Sequence, residues 1–97
     1  MLHELKNDKL VIYLEGELNS SNSEEVEREI DGYLTSGGFS GIVLDFDQLR
    51  YISSAGLRIV ARLKQNYDDL TLINVSNDVF DIFEMVGFND MMEIKRK

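Results

Sequence analysis

Apolar positions along this chain fall into blocks of two different periods. In "KLVIYLEGEL", residues 9–18, they alternate: Val11, Tyr13 and Glu15 face one way, Ile12 and Leu14 the other. A period of two is the pattern of a half-buried strand. "LHEL" just before it is a short partner strand, with "KNDK" as the turn between them. "SSNSEEVEREIDGYLTSGG" switches to the helical period. Val26, Ile30, Tyr33 and Leu34 form one stripe, and Glu25, Arg28, Glu29 and Thr35 lie largely off it. Ser21 and Glu24 have the spacing of a capping box, and Gly37-Gly38 ends the helix.

"GIVLDF" is almost unbroken apolar chain, as expected of a central strand covered on both faces. "SSAGLRIVARLKQNY" is again helical. Gly56, Leu57, Val60, Leu63 and Tyr67 share a face; Arg58, Arg62 and Gln65 share the opposite one. "DLTLINV" is a strand. "SNDVFDIFEMVG" is a third helix, capped by Ser76 or Asn77, with Val79, Phe83 and Val86 as its stripe and Gly87 as its stop. "MMEI" is a last short strand. The order β, β, α, β, α, β, α, β predicts an α/β fold: a four- or five-stranded, mostly parallel sheet with the helices packed largely on one side.

Composition narrows the function without naming it. A chain of 97 residues, 43% of them hydrophobic, makes one domain spanning 1–97 with one core. A net charge of −8 argues against direct nucleic-acid binding, because a phosphate backbone is repelled by such a surface. There is no cysteine, hence no disulfide framework and no thiolate metal site. No apolar run approaches the ~20 residues of a membrane span, and no secretory pattern opens the chain. These features predict a cytoplasmic protein without membrane insertion.

The chemistry gathers at "YISSAG". It lies between the strand "IVLDF" and the next helix, on the carboxyl edge where open α/β sheets bind their ligands. Ser53 is placed to cap the helix, which leaves the Ser54 hydroxyl free at the helix mouth, with small Ala55 and Gly56 behind it. A serine hydrolase is disfavoured: the only histidine is His3, and glycine is missing two residues before either serine. A Walker loop is excluded by the lack of a G-K-[ST] sequence. Asp45 and Asp47 come with no further metal ligands, so no cofactor is expected. Two readings stay open on physics alone. Ser54 is a phosphate acceptor, its dianion favoured by the helix N-terminus, or the two serines are a doubly capped helix start.

"VLDFDQLRYISSAGLRIV" resembles the signature of bacterial anti-sigma factor antagonists, which are small STAS-domain proteins: an apolar strand ending in Asp, a short loop, then D-S-[ST]-G-L or S-S-A-G-L opening a helix. "LEGELN" resembles the family's G-E-L-D, and "NVSNDVFDIFEMVGFNDMMEI" its closing strand, helix and strand. The resemblance implies partner switching. The unphosphorylated antagonist binds an anti-sigma factor that is also a serine kinase, and so frees a sigma factor. Phosphorylation of one serine ends binding, and a PP2C-type phosphatase reverses it. By motif position the acceptor is Ser54, supported by Ser53, Ala55, Gly56, Glu17, Asn19 and Asp45. Asn19 and Ser53 stand where many members have Asp, so both positions are neutral here. Arg58, Arg62 and Gln65 are the expected partner surface. The alternative within the family is a STAS subunit of a stressosome or of a lipid-transport ABC complex; outside it, a small phosphate-binding α/β domain.

Overall fold

A two-residue turn starts the fold. Asn7 and Asp8 both hold positive φ, 53° and 66°, a conformation that these two residue types tolerate and that matches the twist of a hairpin. It folds β1 (His3–Lys6) back antiparallel onto β2 (Lys9–Leu18), with Lys6 opposite Lys9 and His3 opposite Ile12. The expected turn "KNDK" thus shrinks to its two central residues, and the partner strand is "HELK" rather than "LHEL".

The remaining strands are parallel. In the computed structural model, which describes all residues from Met1 to Lys97, β3 (Gly41–Ile52), β4 (Leu70–Val75) and β5 (Glu93–Arg96) extend one five-stranded sheet of order β1-β2-β3-β4-β5. α1 (Ser23–Thr35), α2 (Ser54–Asn66) and α3 (Asn77–Met85) make the crossovers, and a 3-10 turn (Phe88–Asp90) leads into β5. β3 is the central strand, as its apolar run predicts.

Alternation along the strands decides where the core lies. Leu10, Ile12 and Leu14 of β2, Ile42, Leu44 and Phe46 of β3, and Leu70 and Leu72 of β4 join Ile30, Val60, Leu63, Val79 and Phe83 from the helices in one buried cluster. Phe83 meets Phe46 edge-on, with ring centroids 5.4 Å apart. Each fully buried side chain of this kind contributes about 1.5–3 kcal/mol relative to exposure. The opposite face of the sheet is an open groove lined by Val11, Tyr13, Val43, Asp45, Thr71 and Ile73. The helices therefore cover one face only, and the expectation that "GIVLDF" is covered on both is corrected.

Three boundaries also move. β3 runs on through "DQLRYI", which the sequence pattern leaves as a loop. Its pairing with β2 slips twice, between Tyr13 and Glu15 and between Gly16 and Glu17, each time with an extra residue on β3. Those two bulges put its polar residues out of step with simple alternation. α1 starts at Ser23 with Asn22 at the cap position, so the Ser21–Glu24 capping box does not form; Asn22 instead accepts from Asn19 N–H (2.9 Å) and donates to the Glu17 carbonyl (2.7 Å). β5 begins at Glu93, because Met91 and Met92 are held by the 3-10 turn. In α3 Ser76 is the cap, its hydroxyl accepting from Val79 N–H at 3.3 Å, but Val86 is 46% exposed and leaves the stripe.

Candidate functional site at the mouth of the second helix

The carboxyl ends of β2 and β3 lie side by side. Leu18 pairs with Ile52, Glu17 with Tyr51, and the Ser53 N–H donates to the Leu18 carbonyl at 2.9 Å. The chain then turns from extended backbone at Ser53 (φ −96°, ψ 178°) directly into α2. Gly56 explains how closely α2 sits on the strands. A Cβ there would stand 2.6 Å from Ile52 Cγ1 and 2.8 Å from Leu18 Cγ, atoms near the root of buried side chains. Only glycine lets the first turn of the helix rest on these two strand ends.

Ser54 is the first residue of α2 and is exposed. Ser53 occupies the cap position, but its side chain makes no capping bond: its Oγ is buried and has no hydrogen-bond partner. The expectation that a tied-up Ser53 hydroxyl contrasts with a free Ser54 hydroxyl is corrected to a difference of exposure. Ser53 Oγ is buried and unbonded, Ser54 is at the surface, and no side chain caps the N–H groups between them. A helix start of this kind is a place for an anion.

Glu17 and Asn19 border this loop on the β2 side. The Asn19 amide donates to the Glu17 carboxylate at 3.3 Å, and its oxygen accepts from Ser21 N–H at 2.9 Å. An aspartate at position 19 could accept but not donate, and would set two carboxylates side by side. Asn19 thus fits its neighbours as a neutral residue. Tyr51, exposed beside Glu17, is an aromatic of the same rim; it lies beyond the apolar run of β3, where hydropathy alone marks no strand to place it.

Asp45 does not belong to this site. It pairs with Tyr13 and Ile73 in mid-sheet, seven residues before Ile52, or about 20 Å along a strand at ~3.3 Å per residue. It is 8% exposed on the open face and is satisfied there by Asp47 N–H (2.9 Å) and the Asn74 amide (3.1 Å). Nor are the three predicted partner residues alike. Arg58 and Gln65 are exposed, whereas the Arg62 guanidinium is held by Glu27 (2.9 Å) and Asp31 (3.0 Å) and ties α2 to α1.

The largest cleft, about 790 Å³, lies beside the loop and not on it. Asp47, Arg50, Ser76, Asp78 and Lys97 are among its walls; neither Ser53 nor Ser54 is. Hydrogen bonding from Gln48 and then the nearby Lys97 ammonium hold the Asp47 carboxyl below the usual aspartate range. No three His, Asp or Glu side chains converge as a metal site. No helix is long and apolar enough to cross a membrane.

The STAS domain family model matches residues 2–97. BtrV of Bordetella bronchiseptica, whose name assigns it as an anti-sigma factor antagonist, is 39% identical over 83 residues, 81% of this chain and 71% of BtrV. The anti-sigma-B factor antagonist of Listeria monocytogenes is 29% identical over 97% of this chain and 85% of its own length. Among solved structures, the Bacillus anti-sigma factor antagonist SpoIIAA in its unphosphorylated form superposes with a TM-score of 0.78 at 23% identity, covering 96% of this chain and 85% of that one; the same protein is also solved in its phosphorylated form.

Proposed function

The chain belongs to the STAS domain family, and on that premise we propose that it is an anti-sigma factor antagonist whose grip on its partner is switched by phosphate on Ser54. The observation that carries this reading is the exposed Ser54 hydroxyl on the first residue of α2, at a helix start that no side chain caps. Two named antagonists among its relatives support it. The protein acts by binding and not by catalysis. Its partner is an anti-sigma factor with serine kinase activity, and a PP2C-type phosphatase resets it.

The proposed contact surface runs from Tyr51 past Ser54 along the outer side of α2 to Arg58 and Gln65. Arg58 has no ion-pair partner in the fold, so it is freer than Arg62 to meet a carboxylate of the partner. Glu17 and Asn19 frame the acceptor from β2, and the neutral Asn19 keeps a second carboxylate away from the phosphate.

Incubation with the cognate kinase and ATP, followed by intact mass and peptide mapping, tests the assignment. One added phosphate on Ser54 is expected. Ser53→Ala should still take it and Ser54→Ala should take none. Phosphate on Ser53, or an unmodified chain under conditions where the kinase is active, contradicts the reading.

A further inference from the structure

We propose that β1 is a self-association edge, pairing antiparallel with β1 of a second copy across a two-fold axis at Leu5. β1 is the outermost strand of the sheet, and its far side meets nothing. Hydrogen-bonded and non-bonded pairs alternate along an antiparallel ladder. Because Tyr13 N–H donates to the Leu2 carbonyl at 3.0 Å, residues 2, 4 and 6 turn their backbone groups toward β2. His3 and Leu5 therefore turn theirs outward, where no partner satisfies them. The strand is nonetheless held in place: the Tyr33 hydroxyl donates to the Met1 carbonyl at 2.9 Å, and the His3 ring stacks on Tyr33 at 3.7 Å. Leu5, at 58% exposed, adds an uncovered apolar side chain to this edge.

The sequence of β1 selects one register. A two-fold ladder must be centred on a residue, since a centre between residues would set outward-facing backbone groups against inward-facing ones. Centring on Glu4 opposes two glutamates, and centring on His3 opposes two histidines. Centring on Leu5 sets Leu5 against Leu5 of the copy, with two backbone hydrogen bonds at the axis. It also sets Glu4 against Lys6 twice, at the closely spaced non-bonded positions where cross-strand charges act most strongly. Glu4 and Lys6 share the face of Val11 and Lys9. The Tyr13 hydroxyl engages one Glu4 oxygen, which leaves the other for the lysine of the copy. Such a pair closes on itself, so growth stops at two. The contact is small, and the dimer is a weak, reversible one. It lies at the β1 edge of the sheet, leaving the mouth of α2 on the central strand open in both copies.

Sedimentation equilibrium and amide NMR over a concentration series test this. The expected result is a monomer–dimer equilibrium, with shifts confined to Met1 through Asp8. Glu4→Lys alone and Lys6→Glu alone, each confirmed folded by circular dichroism, should weaken association about 10-fold or more. The exchange of both, Glu4→Lys with Lys6→Glu, should restore it. A chain that stays monomeric into the millimolar range overturns the proposal. So does mass growing beyond the dimer, or a double exchange that fails to recover what the single changes lose.

Discussion

Two small residues of "SSAG", Ser53 and Gly56, behave oppositely to what their types suggest. Serine before a helix usually caps it, and losing a cap costs about 0.5–2 kcal/mol. Here Ser53 Oγ is buried without a partner, and an unsatisfied buried hydroxyl itself costs on the order of 1–3 kcal/mol. Glycine inside a helix usually costs stability against alanine. Here Gly56 sits where a Cβ would press into Ile52 and Leu18, and overpacking a tight core typically costs ~1–3 kcal/mol. One melting experiment therefore separates this packing from general propensity. Ser53→Ala should melt no lower than the unaltered chain, and Gly56→Ala should lose ~1–3 kcal/mol. A destabilised Ser53→Ala would mean that the hydroxyl caps α2 after all.

At the level of elements, hydropathy was a good guide where one face of a strand or helix is buried and a poor one where backbone irregularity intervenes. β2 and α2 follow their apolar periods closely, and β4 does so to Leu72, beyond which Asn74 at φ 56° breaks the alternation and Val75 is the next buried residue. β3 does so only to Phe46. Beyond it, two bulges shift Asp47, Gln48, Arg50 and Tyr51 out of phase, and no simple alternation marks a strand with extra residues. The α1 start misled for a different reason: Ser21 and Glu24 have capping-box spacing, but Asn22 and Asn19 bond to each other and to Glu17, which fixes the turn one residue later. The position of Ser54 was legible from the strand-to-helix motif. The fate of Ser53 Oγ, the separation of Asp45 from the loop and the pairing of Arg62 with α1 depend on side-chain placement, which periodicity does not carry.

The first bulge also makes a titration test. Asp47 accepts from Gln48 at 2.7 Å and lies 3.4 Å from Lys97 of the carboxyl-terminal segment. These contacts favour its charged form, so its folded pKa is depressed. The tie is therefore fully present above the ordinary aspartate range and is lost as pH falls through the lower folded value. A carboxyl titration by NMR should place Asp47 below an unfolded aspartate. Gln48→Leu and Lys97→Ala should each move it back up. A titration unchanged by both substitutions would remove the assigned cause.

On the scale of the whole molecule, the proposed phosphate switch takes its sign from charge. Phosphate on Ser54 adds about −1.5 to −2 charges to a chain already at −8. The start of α2 tolerates that charge, since it opens toward uncapped N–H groups and Asn19 keeps one neighbour neutral. A partner packed against an unmodified serine does not tolerate it, because a contact with an unpaired or like charge costs several kcal/mol. The fold should persist while the contact is lost. The most direct measurement is calorimetric affinity for the anti-sigma factor, taken for the unmodified protein and for the protein phosphorylated on Ser54, with circular dichroism on both. The account predicts superimposable spectra and binding weakened by about 100-fold or more. Equal affinity of the two forms, or weakened binding that accompanies unfolding, would contradict it.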